Sequence, residues 1–128
     1  MMRHRSIKAS VIAIMLWHLA DPGAVHADDV TYRANLIAYD LAMKCFVANG
    51  VAASQDSRAG NSEAQAKSEV SARTSFDTAT KLGEVLGYSK TRVHDDFELA
   101  QVKELPTLVS DGAHLGRILV SCKKLGLR

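Results

Sequence analysis

Residues 29–49 read DVTYRANLIAYDLAMKCFVAN. Val30, Ala34, Ile37, Leu41, Cys45 and Ala48 recur there at steps of four, three, four, four and three, the spacing that keeps side chains on one face of an α-helix. The stretch predicts an amphipathic first helix with Cys45 on its buried stripe. Asp28 and Asp29 complement the positive end of such a helix. Asn49-Gly50 supplies two residues that tolerate left-handed backbone, so the helix is expected to stop there. The polar, small-residue run VAASQDSRAGN that follows is expected to be the longest loop, and the first place to look for a contact surface.

Downstream the same period returns. Ser62-Glu63-Ala64-Gln65 has the spacing of a capping box, in which hydroxyl and amide side chains satisfy orphan backbone N–H groups, and predicts the start of a second helix. Its apolar face runs through Ala72, Phe76, Ala79, Leu82 and Leu86, its first turns face solvent, Gly83 is a packing or flexibility point and Gly87 ends it. Ser89 reads as the N-cap of a third helix from Lys90 to about Glu104, with Tyr88 and Val93 placed to form a hydrophobic staple. Val93, Phe97 and Ala100 share its buried face, widened by Leu99 and Val102. Pro106 lacks an N–H and disfavours helical backbone at Leu105, so a restart is expected there. A last helix then carries Leu108, Gly112, Leu115, Leu119 and Cys122, with Ile118 and Leu125 beside them, and ends before Gly126; a shorter helix capped by Asp111 is the alternative. No segment alternates polar and apolar residues between hairpin turns. The fold class is all-α, a small bundle of about four helices.

Before this domain stands a different kind of sequence. MMRHRSIKAS is basic, and VIAIMLWHLA is an apolar run of about ten residues, inside the ~7–15 of a signal-peptide core and short of the ~20 that span a bilayer. Val25-His26-Ala27 places small residues where signal peptidase needs them. Cleavage is therefore expected between Ala27 and Asp28, giving a signal peptide at 1–27 and a single helical domain at 28–128, without a transmembrane anchor. Arg3-His4-Arg5 is not a twin-arginine pair, which favours the general secretory route. The predicted localisation is periplasmic or secreted.

The chain's 16 Lys and Arg against 14 Asp and Glu give a net charge of +2. Arg3, Arg5, Lys8 and Asp21 all lie in the leader, so the remainder is charge-balanced, which argues against nucleic acid as a partner. Export also sets the meaning of the two cysteines. In an oxidising compartment an even count predicts a disulfide between Cys45 and Cys122; there is no CxxC, no CxxCH and no second pair for zinc.

Chemistry is less sharply specified than compartment or fold. His94, Asp95, Asp96 and Glu98 form the densest polar cluster. His94 and Glu98 stand at i,i+4, within reach of one metal ion, and Asp111 or His114 is a conceivable third ligand. Two ligands do not make a site, and acids at a helix start are favoured by the dipole alone. No nucleophile-base-acid pattern, GxSxG or phosphate loop is present, so no catalytic residue and no cofactor is expected. The aromatics Tyr32, Tyr39, Phe46, Phe76, Tyr88 and Phe97 are expected to pack the core. These features predict a small exported helical binding or interaction protein of inhibitor, immunity or adaptor type, acting on another protein or an envelope component. The alternative is a metal- or small-ligand-binding bundle. A hydrolytic enzyme ranks third.

Overall fold

The computed structural model describes the backbone of residues 22–128 and the side chains of residues 28–128. The expected leader and the Ala27–Asp28 cleavage site fall outside the described residues, except for the helical backbone of residues 22–28 and the exposed side chain of Asp28. Four helices follow one another: α1 Pro22–Arg58, α2 Ser62–Val85, α3 Lys90–Ser110 and α4 Gly112–Lys124. Helices are the sole regular elements among the described residues, so the chain is all-α.

Two compact units divide it between Ala34 and Asn35. The first, as far as it is described, is the opening of α1, with Arg33 paired to Asp29 at 3.2 Å. The second, Asn35–Arg128, holds the core.

In that second unit α1 is central. Ala42, Met43, Cys45, Val47, Ala48, Asn49, Val51, Ala52 and Ala53 are all buried, which covers every side of the helix rather than one stripe. A helix enclosed in this way needs apolar or satisfied residues all round. The one-stripe reading fails at its N-terminal end, where Val30, Ala34 and Ile37 are exposed. By length and composition Asp28–Arg58 also suffices to cross a membrane, with a mean hydropathy of 1.3, yet 56% of its most apolar window is buried within the protein. That burial is what a core helix shows.

The expected stop at Asn49-Gly50 is not a stop. Asn49 is fully buried inside α1, where its Nδ2 donates to the carbonyls of Cys45 and Leu127, each at 2.9 Å, and its Oδ1 accepts from Arg128 at 2.8 Å. The polar groups that would otherwise compete with the helix are thereby occupied. The helix continues to Arg58, and the long loop shrinks to Ala59–Asn61. There Gly60 takes φ +73°, and Asn61 N–H donates to the Asp56 carbonyl at 2.9 Å.

Helix α2 begins at Ser62 as expected but is capped by Asn61, whose Oδ1 accepts from Ala64 N–H at 3.1 Å. The capping box does not form, because Ser62 already lies inside the helix and Gln65 N–H donates to the Asn61 carbonyl at 3.0 Å. The buried residues of α2 are Ser68, Ser75, Ala79 and Gly83, all small, whereas Phe76 is 42% exposed. Gly83 is the point of close approach: a Cβ there would lie 2.6 Å from Val93 Cγ2. Gly87, with Tyr88 N–H donating to the Gly83 carbonyl at 2.9 Å, ends the turn as the sequence predicts.

Ser89 caps α3 by accepting from Arg92 N–H at 3.1 Å, also as predicted. The helix then runs through Pro106 to Ser110 instead of restarting there. Proline removes the N–H that would bond the carbonyl of residue 102, and Val102 lies at 74% exposure on the solvent side, where water can satisfy that group. Leu99, expected to widen the buried face, is 63% exposed as well. The inward face is Val93, Phe97 and Leu108. Asp111 caps α4 by accepting from His114 N–H at 3.0 Å, so the alternative start is the one adopted. After Lys124 the chain turns at Gly126, and Leu127 N–H donates to the Cys122 carbonyl at 2.8 Å, which buries Leu127 and leaves Leu125 exposed.

Two apolar clusters form the core. One gathers Tyr39, Ala42, Met43, Cys45, Ala79, Val93, Phe97, Cys122 and Leu127; the other gathers Val47, Ala48, Val51, Leu108 and Leu115. Phe46, Ala100 and Ile118 pack against both. The disulfide Cys45–Cys122, with Cα atoms 5.7 Å apart, ties α1 to α4 inside the first cluster. It is compatible with an oxidising compartment.

Candidate functional site

A cleft of about 500 Å³ opens among α1, α2 and α3. Helix α2 supplies Phe76, Thr80 and Glu84 at steps of four, and α3 supplies Lys90, His94 and Glu98 at the same step, with Val93 and Phe97 between them. Phe46 of α1 contributes a third phenyl ring. The rings of Phe76 and Phe97 stack at 4.6 Å, and Phe46 meets Phe97 nearly edge-on at 5.1 Å and Phe76 at 5.7 Å. Phe97 is buried, while Phe46 is half-buried and Phe76 exposed, so the stacked group is open to solvent on the α2 side. A second hollow of about 310 Å³ shares Phe46 and Gln101 with the first and continues past Leu105 and Val109 to Arg58.

These aromatics were expected to be core. Phe97 is; Phe76 and Phe46 also surface a binding-sized cleft, since hollows of about 300–1,000 Å³ with apolar walls and a few polar groups are the usual form of small-ligand sites. Phe76 was legible as one of an i,i+4 series with Thr80 and Glu84, but its partner rings lie on other helices.

The polar cluster around His94 divides across two sides of α3. His94, Asp95 and Glu98 point outward and are exposed, with His94 Nε2 3.6 Å from Glu98 and Nδ1 3.8 Å from Asp95. One ligand atom from each lies within 4.8 Å of the others. The third group is thus Asp95, not Asp111, which is occupied as the α4 cap, nor His114, which sits half-buried on α4. Such a set offers one nitrogen and two oxygens from a single solvated turn. His94 and Glu98 also line the aromatic cleft.

Asp96 turns the other way. Its Oδ2 accepts from the Tyr39 hydroxyl at 2.8 Å and from Arg92 Nε at 3.3 Å, and the Arg92 guanidinium lies 4.0 Å over the Tyr88 ring. Tyr88 in turn packs edge-on against Tyr39 at 5.3 Å. Burial first, and then the Asp96 carboxylate, hold the Tyr39 phenol well above its ordinary pKa. This network ties α1 to α3 beside the cleft.

One more surface stands out on α3. Leu99, Val102, Leu105 and Val109 are all exposed on this helix, with Leu105 and Val109 flanking the second hollow. In comparisons with known protein families, curated proteins and solved structures, nothing matches this chain.

Proposed function

We propose that this chain is an exported binding protein, cleaved after Ala27 and oxidised in the periplasm or outside the cell, whose site is the aromatic cleft and whose ligand is a small molecule with an apolar body. The observation that carries this reading is the stacked Phe76–Phe97 pair at 4.6 Å, open to solvent in a hollow of about 500 Å³. An exposed phenyl in a stacked group costs solvation that a core position would avoid, and a bound apolar group removes that cost. A neutral fluorescent dye such as N-phenylnaphthylamine is the direct probe. It should bind saturably at one site per chain, and Phe76→Ser should abolish binding while circular dichroism stays that of the parent. Unsaturable binding, or binding that survives Phe76→Ser, would overturn the assignment. Export is read separately, by N-terminal sequencing of the mature protein, expected to begin at Asp28.

A second reading takes a protein or envelope component as the partner. It is favoured by Leu99, Val102, Leu105 and Val109, four large apolar side chains left exposed on α3. In that case Val102→Asp, and not Phe76→Ser, should remove a specific crosslinked partner from the envelope fraction.

A further inference from the structure

We infer that the cleft selects apolar ligands that carry a positive charge, an amine or quaternary ammonium on an aromatic or alkyl body. This rests on the cleft being the binding site, and adds the ligand's chemical class.

Two observations support it. The first is the charge of the rim. Glu84 on α2 and Glu98 on α3 stand on the two helices that wall the hollow, against Lys90, the one Lys or Arg among the described lining residues, and His94, which lies 3.6 Å from Glu98. Fixed carboxylates beside an apolar floor attract a cation and repel an anion, and both effects strengthen as the ligand displaces water from the hollow. The second is the floor itself. Phenyl and phenol rings attract cations through the negative potential over their faces, most effectively where water is excluded. Tyr88, which lines this cleft, already holds a cation in that way, with Arg92 4.0 Å from its ring centroid. A ligand ammonium lodged between the rings and the two glutamates would repeat that arrangement with a mobile partner.

The test uses three ligands of nearly one shape, phenylbutylamine, phenylbutanol and phenylbutyrate, titrated calorimetrically into the oxidised protein. The amine should bind about threefold to tenfold more tightly than the alcohol, as expected for a few exposed charge and cation–ring contacts, and the carboxylate most weakly. In the double variant Glu84→Gln, Glu98→Gln the amine should lose its advantage over the alcohol. Equal binding of amine and alcohol, or preference for the carboxylate, overturns the charge selection and leaves the cleft as a site for apolar ligands. Failure of all three to bind overturns both.

Discussion

The side-chain amide of Asn49 donates to the backbone carbonyl of Leu127 at 2.9 Å, across 78 residues of sequence. The Ser75 hydroxyl is shared between the Ser71 carbonyl at 2.9 Å and the Leu127 carbonyl at 3.3 Å, and Arg128 donates to Asn49 Oδ1 at 2.8 Å. The middle of α1 and the middle of α2 therefore meet the end of the chain at the Leu127 carbonyl. Asn49→Leu keeps the volume and removes its bonds. It should cost about 1–3 kcal/mol in urea denaturation, because the groups left behind lose their partners away from water. A variant as stable as the parent would show that the amide is dispensable.

Reduction of Cys45–Cys122, or the double change Cys45→Ala, Cys122→Ala, should lower thermal stability markedly while preserving much of the helical signal at low temperature. The bond closes a separation of 77 residues, for which loop entropy gives about 4 kcal/mol as an upper figure. Thiol titration of the unfolded, unreduced protein should find no reactive thiol, and two per chain would contradict the pairing.

Gly83→Ala normally raises helix stability by about 1 kcal/mol. Here the new Cβ would stand 2.6 Å from Val93 Cγ2 and 3.3 Å from Tyr39 Cε1, so overpacking should win and the net effect should be a loss of about 1–3 kcal/mol. Adding Val93→Ala should recover part of that loss. A double-mutant cycle on melting temperatures reads the coupling directly.

Tyr39 predicts an alkaline limit. A phenol whose pKa is raised on folding favours the neutral form in the native state, so its contribution is complete below the ordinary value of 10.0 and is lost as pH rises toward the higher folded value. Melting temperature should fall more steeply above pH 10 for the parent than for Tyr39→Phe. Tyrosinate absorbance should show Tyr39 ionising above the other tyrosines, or only on unfolding.

Zinc should leave the melting temperature unchanged, because His94, Asp95 and Glu98 are exposed on one turn and no second helix joins this cluster among the described residues. An increase abolished by His94→Ala would instead establish a metal site.

What the sequence made legible was local or periodic. The Ser89 cap, the Gly87 stop and the burial of Cys45 and Cys122 follow from neighbours a few residues away or from helical spacing. Asn49 misled because its partners, Leu127 and Arg128, lie at the far end of the chain and turn a helix-breaking amide into a buried tie. Pro106 misled because its cost depends on which side of α3 it occupies, and Val102 shows that side to be wet. The cleft was hidden for a similar reason. Phe46, Phe76 and Phe97 each read in the sequence as an ordinary apolar residue of its own helix, and only the packing of three helices leaves their shared edge open.

The covalent topology also governs how the protein behaves when it is cut. Ala59–Asn61, Leu86–Ser89 and Asp111, the connections between the described helices, all fall between Cys45 and Cys122. A protease that nicks any one of them opens a ring and releases nothing. The nicked chain keeps both ends of its buried core joined, travels as one species until it is reduced, and can survive damage that would dismantle an unstapled bundle.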